Sequence, residues 1–327
     1  MSVRYFLISV GKFTIFQGLL ISLLLLAYYR PSINGVSANY SSTNIKHKKL
    51  TSSESPRAIF VGGSNLMFGL ESELIKERTD YEPVNMGLVG GLRLSFMLNE
   101  IKKELSHGDM VILALEYNQL IIPDDGAIPQ VLMRIIEQRP QSTQYLNLTH
   151  WRLLLDSGVQ EHVGIVLRNS IRRLFTSLPF FLGYEEENRT QEVNVYGDLI
   201  TFRDQPPQQG GAYQEVLPDR IPHGVLNERI KQLNKFLAYT QKRNVDVVFT
   251  YPPIPKSQYF RKQEVANEFH QILVNSLDIP ILGTPSDMVF DTDKFINESY
   301  HLHGLGIRER TQKLVNFIQI YEPKTLN

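Results

Sequence analysis

Short apolar runs that alternate with helical patterns are the feature that most constrains how this sequence can fold. Runs of about four to eight apolar residues bounded by glycine are typical of buried strands, and amphipathic stretches are typical of helices. Their alternation predicts an α/β three-layer sandwich, a mainly parallel sheet with helices on both faces. The predicted strands are residues 58–61, 84–87, 110–115, 245–250 and 279–282, and the predicted helices are residues 71–78, 94–105, 226–243, 262–277 and 307–320.

The first apolar run ends at two glycines followed by a serine. Residues 58–61 stop at Gly62 and Gly63, and a helical pattern begins soon after Ser64. Ligands bind at the carboxyl ends of strands in open α/β sheets, and the N–H groups at a helix start favour negative charge. Ser64 is therefore a candidate nucleophile with part of an oxyanion hole beside it. Taken alone, the motif favours the simpler interpretation, a loop in which Ser64 caps the helix.

The alternation of strands and helices stops between residues 121 and 223. Residues 131–138 and 151–177 have helical patterns, whereas residues 203–211 are polar and rich in glycine and proline. We interpret residues 121–223 as a helical and loop insertion that covers the carboxyl edge of the sheet as a lid. A separate helical subdomain with no role at the site is the alternative.

The N-terminus predicts a membrane anchor. Residues 13–29 carry no charge, follow the basic residues Arg4 and Lys12, and end in two tyrosines. This length is at the short end of what spans a bilayer, and tyrosines are typical of the interface. The small-residue pattern for cleavage is poor, which favours an uncleaved single-pass anchor over a signal peptide. We expect an anchor over residues 1–30, a linker over 31–56 and an extracytoplasmic α/β domain over 57–322.

Charge and cysteine content exclude several classes of function. The chain of 327 residues has 34 basic and 34 acidic residues, a balance that argues against a nucleic-acid-binding protein. Because there is no cysteine, disulfides, cysteine-ligated zinc and a cysteine nucleophile are excluded. No cluster of His, Asp and Glu has metal-ligand spacing on a helix, so we expect neither a metal nor a cofactor.

Two histidines near the C-terminus have an acidic context. His301 and His303 lie in a loop that follows Asp293 and Glu298 and precedes the last predicted helix. An acid three or four residues before a histidine can orient the ring while the histidine serves as a general base. By spacing alone, a polar surface loop is the simpler interpretation.

Four segments resemble, in order, the motifs of the SGNH hydrolase superfamily, also called GDSL-like. The resemblance is closer to its membrane-anchored bacterial branch, which is linked to acylation of cell-surface polysaccharides. It covers most of residues 58–320 apart from the insertion, and it implies a flavodoxin-like fold. The segments are residues 60–65 (Phe-Val-Gly-Gly-Ser-Asn), 84–91 (Val-Asn-Met-Gly-Leu-Val-Gly-Gly), 111–118 (ending in Glu-Tyr-Asn) and 301–306 (His-Leu-His-Gly-Leu-Gly).

The resemblance implies a catalytic triad. Ser64 matches the nucleophile of the family and His301 its catalytic histidine, while His303 stands where the branch has asparagine. The acid of the family lies three or four residues before the histidine, and here that position is held by Glu298. Asp293 is the fallback acid.

The resemblance also implies an oxyanion hole. Its donors are the backbone N–H groups of Ser64 and Gly90 and the side chain of Asn118, which matches the asparagine of the Gly-x-Asn motif. One position departs from the family, because Glu116 replaces the glycine of that motif. The third turn is therefore bulkier than in the esterases.

Acyl transfer is the activity that the resemblance implies, by an esterase or an O-acyltransferase that acts on ester bonds. The expected substrate is an acylated, in particular O-acetylated, glycan of the cell envelope or an exported glycan. The expected partners are the membrane, through the N-terminal helix, and a multispanning membrane acyltransferase. The alternative is a catalytically inactive domain that serves such an acyltransferase as a glycan-binding or scaffolding partner.

Overall fold

A computed structural model describes residues 3–28, 38–157, 193–200, 203, 215–296 and 300–321. The chain divides into two units. The first, Met1–Val36 with Leu155–Arg189, contains helix α1 (Val3–Tyr28). The second, Ser37–Leu154 with Thr190–Asn327, contains the central sheet.

The central sheet has four strands: β1 (Arg57–Gly62), β2 (Glu82–Gly87), β3 (Met110–Ala114) and β4 (Asp246–Phe249). Their order is β2-β1-β3-β4, and all three pairings are parallel. The predicted α/β class with a parallel sheet is therefore confirmed. The predicted strand at residues 279–282 is present as one parallel bridge between Phe249 and Ile281.

Burial explains why these segments form strands. Every residue of β1, β3 and β4 is buried, as expected for parallel strands that are covered on both faces. Arg57 is tolerated at the start of β1 because Asp109 receives its guanidinium in a buried ion pair. A second, two-stranded parallel sheet pairs β5 (Ile254–Pro255) with β6 (Val289–Phe290).

Helices follow the strands close to the predicted positions. Several begin or end a few residues from the predicted bounds, and α2, α3, α6 and α10 have no counterpart among the predicted helices. The helices are α2 (Ala38–Ser52), α3 (Ser64–Met67), α4 (Ser72–Arg78), α5 (Arg93–Lys102), α6 (Tyr117–Ile121), α7 (Pro129–Gln138), α8 (residues 148–157 in the described part), α9 (His223–Gln241), α10 (Lys256–Arg261), α11 (Gln263–Ser276) and α12 (Gly304–Ile320). Short 3₁₀ helices cover Gly90–Leu92, Asp124–Gly126, Pro140–Tyr145, Pro285–Met288 and Thr292–Lys294.

The N-terminal region differs in part from its prediction. Within the described residues, no helix is both long and apolar enough to cross a membrane, so the anchor stays a prediction. The segment predicted as a linker contains α2, and α2 packs on the sheet domain. Leu50 of α2 is fully buried, and the ammonium group of Lys46 donates to the carbonyl oxygens of Asn85 and Gly197. The sequence did not predict this helix, because the segment is mostly polar and its apolar residues do not recur at helical spacing.

The insertion is fastened to the rest of the domain where it returns to the sheet. Buried Asp198 accepts hydrogen bonds from the backbone N–H and the hydroxyl of Ser72. The carbonyl oxygen of Arg203 accepts from the backbone N–H of Gly304, and that of Val216 accepts from the Tyr300 hydroxyl at 3.0 Å. The described parts of residues 121–223 therefore contact the turn before α12. The rest of the helix predicted at residues 151–177 lies outside the described residues.

Candidate functional site

The carboxyl ends of three neighbouring strands bring the candidate site together. β1 lies between β2 and β3, and the chain continues from β1 into α3 and from β3 into α6. The gap between β1 and β3 is the topological switch point of such a sheet, where ligands bind. Gly63 is the N-cap of α3, and Ser64 is its first residue. The loop after β2 carries Gly90 to the same edge, and Glu116 directly precedes α6.

The hydroxyl of Ser64 donates to a buried carboxylate. Its Oγ lies 2.9 Å from Oε1 of Glu116, and the backbone N–H of Asn65 donates to the same oxygen at 2.9 Å. Glu116 is only 5% exposed. A carboxylate that accepts hydrogen bonds from the candidate nucleophile and from the next backbone amide is held in a fixed position.

Two glycines make room for this carboxylate. A Cβ atom at Gly63 would lie 2.4 Å from Cδ and Oε1 of Glu116, closer than any ordinary contact. A Cβ atom at Gly90 would lie 3.1 Å from Oε2 of Glu116 and 3.2 Å from Nε2 of Gln119. The amide of Gln119 donates to the Gly90 carbonyl oxygen at 2.9 Å. The Glu116 carboxylate therefore fills the space between the Ser64 turn and the Gly90 turn.

Burial and hydrogen bonding shift the pKa of Glu116 in opposite senses, and burial has the larger effect. Burial raises the pKa of Glu116 above its ordinary 4.5, whereas the hydrogen bonds from Asn65 and Ser64 lower it. Arg310, in α12, is fully buried and donates to the Asn65 side-chain oxygen at 2.7 Å. Burial lowers the pKa of Arg310 to about 9, against the attraction of Glu116, so its guanidinium stays charged at neutral pH. Asn65, the residue after Ser64, is thus bound both to the buried Arg310 and to Glu116.

A strained backbone position lies beside the same turn. Arg93, at the junction of the 3₁₀ helix Gly90–Leu92 and α5, has φ +64° and ψ +169°. Such a conformation costs a non-glycine residue on the order of 1–3 kcal/mol. Its Nε donates to the carbonyl oxygen of Gly126 at 3.0 Å. Burial lowers the pKa of Arg93, against the attraction of Glu116. The strained residue is therefore a half-buried cation whose charge interacts with the Glu116 carboxylate.

Asn118, the predicted oxyanion donor, lies in α6 and is half-buried. Among the residues that the structure describes, its side chain has no hydrogen-bond partner. It follows Glu116 by two residues, so it lies at the same edge of the sheet as Ser64.

The predicted base, His301, is buried near the opposite end of α3. Its ring packs against Phe68, the C-cap residue of α3, with 4.5 Å between ring centroids. Burial lowers the pKa of His301 to about 4, so the ring is neutral at pH 7. His303 instead donates from Nε2 to the backbone carbonyl of Asp293 at 2.8 Å.

The triad acid is not assigned. The side chain of Asp293 is exposed, and its contact with the histidine loop is through the backbone carbonyl. Glu298 lies outside the described residues. The assignment of the triad acid to Glu298 or Asp293 therefore stays a prediction.

Two residues of the site had no assigned role in the sequence. Glu116 stood out only as a replacement for glycine, yet an acidic residue directly after a buried strand is itself a signal, because that edge binds ligands. Arg310 lies in the helix after the histidine segment, and a helical pattern gives no reason to expect a buried arginine there. Comparison of the chain with protein-family models and with curated proteins finds no match.

Proposed function

We propose that this protein is a serine-dependent esterase or O-acyltransferase with Ser64 as its nucleophile. One observation carries the proposal: Ser64 begins a helix at the switch point of a parallel sheet, and its hydroxyl donates to a buried carboxylate. A serine is a weak nucleophile unless a neighbouring base accepts its proton. The hydrogen bond to Glu116 supplies such a neighbour.

Two groups are candidates for the base. The sequence suggests His301, and the geometry adds Glu116. The nucleophilic role of Ser64 does not depend on which of them accepts the proton. The oxyanion would receive hydrogen bonds from the backbone N–H groups of Ser64 and Gly90 and from the Asn118 side chain, whose amide has no partner among the described residues.

The substrate and setting follow from the resemblance to SGNH hydrolases. We propose the three-layer arrangement of that fold, with helices on both faces of the sheet and residues 121–223 as a lid. The substrate is an O-acylated, in particular O-acetylated, glycan at the outer face of a membrane. Residues 1–30 anchor the protein in that membrane. A multispanning membrane acyltransferase would supply or receive the acyl group.

A specific observation favours the second candidate, a non-catalytic glycan-binding or scaffolding domain. The Glu116 carboxylate lies between Ser64 and Gly90, where the negative oxygen of a reaction intermediate would need donors. A carboxylate that stays charged there would repel this oxygen. The two candidates differ in whether Ser64 reacts.

A fluorophosphonate probe separates the two candidates. It forms a covalent bond with activated serines, so the enzyme should be labelled and the Ser64→Ala protein should not. The site of labelling is read by mass spectrometry of the peptide that contains residue 64. An unlabelled wild-type protein, or labelling that survives Ser64→Ala, contradicts the enzymatic proposal.

A further inference from the structure

The hydrogen bond between Ser64 and Glu116 has the geometry of a nucleophile and its base. The two oxygens are 2.9 Å apart, within the range in which a positioned group takes a proton directly. Oε1, the oxygen that faces Ser64, is also the one that the Asn65 backbone N–H holds. The carboxylate lies directly against Gly63, in space that any side chain at that position would occupy.

We infer that Glu116 is the general base of a Ser64–Glu116 dyad, a catalytic residue that accepts the Ser64 proton in place of a histidine. The inference rests on the proposed acyl transfer at Ser64 and names the group that activates it.

The proton and the electron pairs balance in each half of the reaction. The Ser64 proton passes to Oε1 of Glu116 while Oγ attacks the ester carbonyl carbon. The bond to the alcohol then breaks, and Glu116 returns the proton to the departing alkoxide, which leaves an acyl-serine. In the second half, water or a sugar hydroxyl gives its proton to Glu116 and attacks the acyl carbon. Ser64 leaves with that proton, and both residues regain their starting forms.

This role removes the charge repulsion between the Glu116 carboxylate and an oxyanion at the same edge of the sheet. When Glu116 accepts the proton it becomes neutral, and in the same step the substrate carbonyl oxygen becomes negative. The site therefore carries one negative charge before and after the attack. The charge of Glu116 raises the pKa of Arg93 in α5 and of Arg310 in α12, and these cations face one negative charge throughout. Tyr300, whose pKa burial and Glu116 raise, stays neutral.

His301 is less suited to the same task. Its ring is buried against Phe68, and burial lowers its pKa to about 4, so it binds a proton weakly at neutral pH. General bases work best when their pKa lies near the working pH. Burial moves the pKa of Glu116 upward, toward that range.

Labelling kinetics of the full-length protein test the dyad. The rate of fluorophosphonate labelling is measured for the wild type and for Ser64→Ala, Glu116→Gln and His301→Gln, with thermal unfolding to show that each variant folds. Glutamine has the size of glutamate and keeps an oxygen for the Ser64 and Asn65 donors, but it does not accept the proton. Glu116→Gln should slow labelling by about 100-fold or more, since general bases contribute this much. His301→Gln should slow it by less than about 10-fold.

The outcomes separate the dyad from the proposed function. If Ser64 is labelled and Glu116→Gln reacts at the wild-type rate, Glu116 is not the base and the serine enzyme stands. Faster labelling of Glu116→Gly, which restores the glycine of the Gly-x-Asn motif, would show that the carboxylate blocks the site and would likewise overturn the dyad. If the wild type is not labelled, or Ser64→Ala is labelled equally, both proposals fail.

Discussion

Gly63→Ala tests how tightly the Glu116 carboxylate is held. The new Cβ would lie 2.4 Å from Cδ and Oε1 of Glu116 and 2.6 Å from Oε2. Non-bonded carbon contacts are about 3.5 Å, so the carboxylate must retreat by about 1 Å. The backbone itself accepts alanine, since φ at position 63 is −89°. The whole effect therefore arises from the displaced carboxylate.

The magnitude follows from the contacts that the displacement breaks. A shift of about 1 Å separates Oε1 from the Ser64 hydroxyl and from the Asn65 N–H, and each hydrogen bond to a charged group contributes about 1.5–3 kcal/mol. Replacing glycine by alanine also lowers the conformational entropy of the unfolded chain, which stabilises the folded protein by about 0.4–1 kcal/mol. We expect a loss of about 2–5 kcal/mol in the free energy of unfolding, together with loss of Ser64 labelling.

Urea denaturation followed by circular dichroism measures this change. Gly224→Ala is the matched control, because a Cβ there meets no atom within 4 Å and the position lies in the first turn of α9. That variant should gain up to about 1 kcal/mol from helix propensity. In the double variant Gly63→Ala with Glu116→Gly, both the carboxylate that the new Cβ meets and its hydrogen bonds are absent. Adding Gly63→Ala to Glu116→Gly should therefore cost less than about 1 kcal/mol. Equal stability of Gly63→Ala and Gly224→Ala, or a cost of Gly63→Ala that is as large in Glu116→Gly as in the wild type, would refute the reasoning.

Two further predictions concern buried charges away from the site. Asp109→Ala leaves Arg57 buried without its carboxylate and should cost about 3–5 kcal/mol, whereas Glu228→Ala breaks an exposed pair with Lys231 and should cost less than about 1 kcal/mol. Similar urea midpoints for these two variants would contradict this. Burial lowers the pKa of Lys46 from 10.5 to about 7, so the folded protein releases this proton at lower pH than the unfolded chain. The free energy of unfolding should therefore rise between about pH 7 and 10 in the wild type relative to Lys46→Met, and parallel pH profiles of the two proteins would contradict it.

The fold could be predicted from the sequence wherever burial of a segment imposes a recognisable pattern of apolar residues on that segment. Apolar runs located β1, β3 and β4, because strands that are buried along their whole length need mostly apolar residues. In β2, the glycines after a short segment that contains the buried Asn85 gave the position instead. Residues 279–282 form only one bridge in place of a full strand, and α2 has no apolar period because it is anchored by a buried lysine. Local patterns do not reveal such long-range polar contacts.

The sequence predicted where the candidate site lies in the fold but not which side chain contacts Ser64. A strand that ends in Gly62-Gly63-Ser64 places the serine at the ligand-binding edge whatever the rest of the chain does. The position of Glu116 relative to Ser64 depends on β3 pairing beside β1 in register, across 52 residues of sequence. Nothing local to either segment encodes that pairing.

The sequence by itself determined the class of fold, the positions of the main strands and the place of Ser64 at a strand end, because burial periods and turn glycines are local properties. Only the tertiary structure decided which group faces that serine. The carboxylate of Glu116 reaches it because two glycines without side chains leave the space and a neighbouring backbone N–H fixes the oxygen. Shape and hydrogen bonding between distant segments, which no local pattern records, therefore determine the chemistry that the site can perform.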